Sequence, residues 1–192
     1  MTTILLSRHG ESDWNRDERW QGHADRPLTE LGLEQAEALA DRLEGIALDA
    51  VYASDLIRAR QTAQVVAKRR GLPVIERADL REVDCGSWSG CRHGDIVPAQ
   101  IERWRSGGKG WDGGESYEQM AARMVAAVRD IARHHDGAHV LVVSHGAAIR
   151  AVHAHAVSLP FHEYRRLYPT VANAGLSAVA VENGAFSEVG PV

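Results

Sequence analysis

The alternation of apolar and polar positions divides the chain into strand-like runs and helical stripes. Thr3-Ile4-Leu5-Leu6-Ser7 is an apolar run near the start and predicts a first β-strand. A polar, turn-rich stretch from Glu11 to Pro27 follows. Thr29 then reads as an N-cap, with Leu33, Ala36, Ala40 and Leu43 at helical spacing and Gly45 as the stop. Leu48 to Tyr52 predicts a second strand. Ser54 is expected to cap a helix carrying Leu56, Ala59, Ala63 and Val66 on one face, running to Arg70 and ending at Gly71. Val74-Ile75 is a short strand, Asp84 to Gly94 a Gly-rich loop, and Ile96 to Arg105 a weaker helical pattern. The Gly107 to Gly114 connection is too short for a domain linker. Ser116 or Glu115 opens the clearest helix, with Met120, Met124, Val128 and Ile131 on one stripe, the methionines serving as core filler. Val140-Leu141-Val142-Val143 is continuously apolar, as in a strand buried on both faces of a parallel sheet. A helix through Ala147, Ile149 and Val152 comes next, then a short one from Pro160 to Leu167. Leu176–Val181 and Phe186–Val189 pair around Asn183-Gly184. Strands alternating with helices predict a three-layer α/β/α sandwich with a mostly parallel central sheet, in one domain spanning 1–192.

Composition narrows the function. The apolar share of 44% and charged share of 25% are those of an ordinary globular domain. No run reaches the roughly 20 apolar residues of a membrane helix. No basic, apolar leader is visible, so the cytoplasm is the expected compartment. A net charge of −4 argues against a general nucleic-acid or membrane-surface binder. It leaves room for a local cationic pocket holding a small anion. Arg outnumbers Lys 20 to 2, a bias that a GC-rich genome explains, so Arg abundance alone marks no site. Cys85 and Cys91 match neither a zinc nor a thioredoxin spacing. They are expected as free thiols, a redox role for Cys85 near Glu82 being the alternative.

The candidate chemistry sits where the pattern ends its strands. Arg8-His9-Gly10 falls at the carboxyl end of the first strand, the edge where parallel sheets bind ligands. A second copy, Arg92-His93-Gly94, follows no apolar strand and reads as a surface loop. Val143-Ser144-His145-Gly146 repeats the arrangement at another strand end. Each glycine lets backbone approach a ligand closely, and the helix after His145 offers N–H groups to an anion. Arg58 lies one turn into a helix that follows the second strand and can fork onto two phosphate oxygens. Its alternative is an ion pair with Asp55 or Glu76, and its rival Arg60 points elsewhere on the helix. Glu82, with Asp84 as competitor, has the chemistry of a general acid beside a phosphate pocket. His153 and His155, two apart on a helix, face different sides and do not chelate one metal. His134-His135 complements a helix C-terminus.

Taken together, Arg8-His9-Gly10-Glu11-Ser12 with Asn15, Pro27-Leu28-Thr29 with Gly32, Ser54-Asp55-Leu56 with Arg58, Ala59 and Thr62, Glu82 with Gly86, Trp88 and Gly90, Gly114-Glu115-Ser116, and Ser144-His145-Gly146 form an ordered set. The set resembles the histidine phosphatase superfamily, in the branch of cofactor-dependent phosphoglycerate mutases and broad-specificity phosphatases. The resemblance covers residues 3 to 182. It implies that His9 is the nucleophile that becomes a phosphohistidine. It implies that Arg8, Arg58 and His145 bind the phosphoryl group and that Glu82 protonates the leaving group. Asn15 and Gln21 would help hold phosphate or the incoming oxygen. Ser12 and the backbone after Gly146 would add donors, and Glu115 and Ser116 would close one wall. It implies no cofactor and no metal, and leaves a homodimer open. A cluster of Arg8, Arg58 and a protonated His145 is expected to keep His9 neutral, as a nucleophilic imidazole must be. By resemblance, Trp14, Trp20, Trp104 and Trp111 surround the pocket mouth, either gripping substrate or packing loops, while Trp88 is structural.

Mutases of this family carry a longer segment between acid and second histidine, and a longer tail. Here 62 residues separate Glu82 from His145 and little follows the final hairpin. The expected activity is therefore metal-independent hydrolysis of a small phosphorylated metabolite. The alternatives are a phosphoglycerate mutase and a non-catalytic phospho-ligand binder. The loops at 13–26 and 95–116 are expected to set specificity. Substrates in reach are phosphosugars, phosphoglycerate derivatives including glucosylated ones, nucleotides, α-ribazole phosphate and phosphoserine.

Overall fold

A computed structural model describes residues 1–190. Six strands form one sheet: β1 (Thr2–Arg8), β2 (Ala50–Ser54), β3 (Val74–Arg77), β4 (His139–Ser144), β5 (Leu176–Glu182) and β6 (Ala185–Glu188), in the order β3-β2-β4-β1-β5-β6. The β3-β2-β4-β1 pairings are parallel, while β5 runs antiparallel to β1 and β6 antiparallel to β5. Among the described residues seven α-helices accompany them: α1 (Asp13–Arg16), α2 (Glu30–Arg42), α3 (Ile57–Arg70), α4 (Pro98–Arg105), α5 (Tyr117–His134), α6 (Gly146–Ala156) and α7 (Phe161–Leu167).

Strand periodicity of two builds two cores on one sheet. Ile4, Leu6, Val140 and Val142 face α5 and α6, where Met120, Met124, Val128, Ile131, Ile149 and Val152 pack on them. Leu5, Val51, Leu141 and Val143 face the opposite layer, against Leu39, Ala59, Ala63 and Val66 of α2 and α3. The continuous apolar run of β4 is thus needed because both faces are covered. Each fully buried aliphatic side chain contributes about 1.5–3 kcal/mol.

Several boundaries differ from the sequence expectation, each for a local reason. β2 begins two residues later than Leu48 and includes Ser54. Ser54 Oγ accepts from Leu56 N at 3.3 Å, so it closes a turn, and Leu56 occupies the N-cap position of α3. Gly45 does not stop α2; the helix ends at Arg42 with Leu43 at its C-cap. Gly71 does end α3, in the left-handed conformation. Thr29 caps α2 through Gly32 N, and Ser116 caps α5 in a reciprocal box with Gln119. Asn183 and Gly184 both have positive φ, as a tight hairpin turn requires. His134 Nδ1 donates to Asp130 O, and His135, the C-cap of α5, meets Tyr52 Oη at 2.9 Å.

Candidate active site

Parallel pairing of β1 with β4 sets Arg8 beside Ser144 in register. The chain leaves both strands at the same edge, and His9 N donates to Ser144 O at 3.0 Å. That register brings the rings of His9 and His145 to 5.1 Å between centroids. Both rings are buried.

The His9 ring has a defined tautomer. Its Nδ1 lies 2.6 Å from the Gly10 carbonyl oxygen, which only accepts, so Nδ1 carries the proton. Nε2 is left with the lone pair. The backbone around it is fixed: Gly10 N donates to Thr62 Oγ1, and His9 O accepts from Ala174 N and Asn173 Nδ2. Burial, then the Arg58 and Arg8 charges, hold the His9 pKa well below the usual histidine value.

Arg58 is almost wholly buried, its guanidinium donating to the carbonyls of Ala24 and Gly22. Burial lowers its pKa to about 10, against the attraction of Glu82 and Asp25, so it stays cationic at neutral pH. It is no surface ion-pair partner: Asp55 pairs with Arg81 and Glu76 with Arg60. Arg8 donates to Val171 O. Among the described residues, Arg8 Nε, Arg58 Nε and both ring nitrogens of His145 are buried without a partner. Unpaired buried polar atoms are costly, and four of them around the His9 ring suit a multi-oxygen anion.

The expectation of a protonated His145 is corrected. Burial, Arg58, His9 and Arg8 push its pKa well below the usual value, so it is neutral in this field. A phosphate dianion would reverse the field and favour its protonation.

Glu82 stands at the N-terminus of α6, its carboxylate accepting from Ala147 N, Ala148 N and Val83 N at 3.0, 3.2 and 2.9 Å. Asp84 bonds Gly86 N and does not line the cleft. The cleft has a volume of about 470 Å³, and Arg8, His9, Arg58, Glu82 and Gly146 all line it. Asn15 and Gln21 line it too. Ser12 does not: it is buried behind them, donating its N–H to Asn15 Oδ1 and its hydroxyl to Gln21 Oε1. Ser12 therefore ties up both amide oxygens and leaves the amide NH2 groups as donors for an anion.

Glu115 is likewise not a wall of the cleft, and Ser116 is a helix cap. Glu115 sits behind the Glu82 segment, ion-paired with Arg123. Trp14, Trp20 and Trp104 line the cleft, whereas Trp111 is buried against Trp88 and Tyr117. Arg92-His93-Gly94 is a surface turn, but the His93 ring packs edge-on against Trp20 at the mouth. Burial pushes the Cys85 thiol up to about 12, leaving it inert. His153 bonds Ser177 and Glu188, while His155 meets Arg129.

Among the lining residues that the sequence reading did not single out are Arg19, Arg105, Tyr117, Arg150 and Thr170. Arg150 had a signal, one helical turn beyond Gly146 on α6. Its fork donates to Thr170, Arg165 and Tyr168 across the chain, which no spacing reveals.

These features define a fold and a site of one known class. The family model of the histidine phosphatase superfamily (branch 1) matches residues 4–190, and the chain belongs to that superfamily. A probable phosphoglycerate mutase of Photorhabdus laumondii is 37% identical over 187 residues, covering 93% of this chain and 85% of its own. A metal-independent phosphoserine phosphatase of Arabidopsis thaliana is 40% identical over 161 residues, covering 80% and 68%. The solved mycobacterial glucosyl-3-phosphoglycerate phosphatase, in complex with VO3, superposes with a TM-score of 0.89 at 30% identity, covering 97% of this chain and 96% of that one.

Proposed function

We propose that the protein is a metal-independent phosphomonoesterase acting on small phosphorylated metabolites through a phosphohistidine. The carrying observation is the His9 tautomer: Nδ1–H bound to Gly10 O leaves Nε2 basic among Arg8, Arg58 and His145. In the first step Nε2 attacks phosphorus and the bond to the leaving oxygen breaks. Protonated Glu82 gives its proton to that oxygen. In the second step Glu82 takes a proton from water, whose oxygen displaces Nε2 and releases phosphate. Arg8, Arg58 and His145 stabilise the charge on the equatorial oxygens in both transition states. The side-chain amides of Asn15 and Gln21 add donors, whereas the Ala147 and Ala148 N–H groups at the start of α6 are committed to the Glu82 carboxylate.

The leaving group occupies the rest of the cleft, between Trp14, Trp20 and Trp104, with Arg19, Arg105 and Arg150 among the lining cations. Those cations favour a leaving group that carries a carboxylate. The phosphatase-named relatives support the same class, since their names specify phosphoserine and a glucosylated phosphoglycerate. The mutase reading is the alternative and rests on the name of the Photorhabdus relative.

Phosphate release from O-phosphoserine, 3-phosphoglycerate and its glucosyl ester, measured in chelator, tests the proposal. Activity is expected to persist, and His9→Ala is expected to lose at least about 1000-fold. Substantial activity in His9→Ala would overturn the phosphohistidine route. Isomerised 3-phosphoglycerate without net phosphate release would establish the mutase instead.

A further inference from the structure

We infer that Arg123 is a positioning residue that aims the general acid Glu82, an inference that rests on the phosphohistidine reading above. Glu82 lies in a segment that is neither helix nor strand. The carbonyls of Arg81 and Glu82 are held by side chains instead of a backbone ladder. Arg123, projecting from α5, supplies most of that support. Nη1 donates to Asp79 O at 3.0 Å and Arg81 O at 2.9 Å. Nη2 donates to Glu82 O at 3.1 Å and to Glu115 Oε1, and Nε reaches Glu115 Oε2 at 3.3 Å. All five N–H groups of the guanidinium are therefore used.

Glu115 completes the clamp from the other side, since its Oε1 also accepts from Asp84 N at 3.1 Å. His23 Nε2 lies 2.8 Å from Glu82 O and 3.8 Å from Glu115 Oε1. One guanidinium and one carboxylate thus bracket residues 79–84, with the acid between the bracketed points. Neither Arg123 nor Glu115 lines the cleft, so both act through Glu82. Lysine keeps the charge but presents its donors from a single point, so it cannot bridge three carbonyls and a carboxylate.

A misaimed acid has a kinetic signature that general destabilisation lacks. Expulsion of an alkoxide needs the proton from Glu82, whereas expulsion of 4-nitrophenolate does not. The test compares kcat/KM for O-phosphoserine and 4-nitrophenyl phosphate in the full chain and in Glu82→Gln, Arg123→Lys and Glu115→Gln. Glu82→Gln is expected to lose about 100-fold or more on phosphoserine and about threefold on the aryl ester. Arg123→Lys is expected to lose about 30-fold on phosphoserine, again with about threefold on the aryl ester. Glu115→Gln should show the same split at about tenfold, and it carries the test if Arg123→Lys does not fold. Equal losses on the two esters, or no loss, in the clamp variants would overturn the inference while Glu82→Gln keeps its split. Absence of the split in Glu82→Gln itself would remove the acid assignment, and the inference with it.

Discussion

The two facing histidines are held neutral by burial among guanidinium groups, and this has a consequence for stability. Both fold with pKa values below that of an unfolded histidine. The unfolded chain therefore binds more protons below about pH 6.5, and stability falls as pH falls through that region. Each buried histidine contributes a slope of up to about 1.4 kcal/mol per pH unit until its folded pKa is reached. His153 and His155 shift in the same direction. Denaturant unfolding at pH 7.5, 6.5 and 5.5 should show the decline, and His145→Asn should flatten it. A parallel decline in His145→Asn would show that the shift belongs elsewhere. In the proposed mechanism the same low pKa keeps His9 competent as a nucleophile at mildly acid pH. The acid limb of kcat/KM should accordingly lie well below pH 6.5.

At the scale of elements, the site depends on how closely α2 approaches the loop after β1. A Cβ on Gly32 would stand 2.0 Å from Glu11 O, and one on Gly10 would stand 2.3 Å from Gly32 O. Backbone meets backbone here, so neither side yields by a rotamer change. Gly32→Ala should destabilise by about 1–3 kcal/mol. For a chain of this size that lowers Tm by about 2–12 °C. It should also lower kcat, because Glu11 lies two residues from His9. Calorimetry and kinetics on one preparation decide the point, and an unchanged Tm would mean that the contact relaxes. The start of α6 is the second critical junction. Glu82 now takes two of its free N–H groups, at Ala147 and Ala148, and these are donors that an anion also seeks.

For the molecule as a whole, the orphaned polar atoms around His9 predict strong linkage between ligand and stability. Inorganic phosphate at 100 times its Kd should add about 2.7 kcal/mol. That corresponds to a rise in Tm of about 5–11 °C. Arg58→Met should abolish the rise, and its persistence would place phosphate outside this site. Both hydrophobic clusters share one sheet, so unfolding is expected as a single transition, with no separate domain melting first.

The sequence by itself determined the layers and the alternation of strands with helices, though not the strand boundaries to the residue. The continuous apolar runs of β1 and β4, and the 3.6-residue stripe of α5, are local properties, legible because one chain segment generates each. His9, His145 and Arg58 were legible for the same reason, each lying at or just beyond a strand end. The left-handed Gly71 was legible because few residues tolerate that backbone. What only the tertiary structure decided is which side chains support the site. Ser12 and Glu115 resemble pocket residues in sequence, yet the fold turns them to hold Gln21 and Arg123. Trp111 is drawn into the aromatic core, while Arg150 and Tyr117 reach the cleft. His145 is expected from the sequence as a cation of the phosphate cluster, and complete burial beside two guanidinium groups instead favours its neutral form. Burial and long-range hydrogen bonds are sums over elements distant in sequence, so no local pattern encodes them.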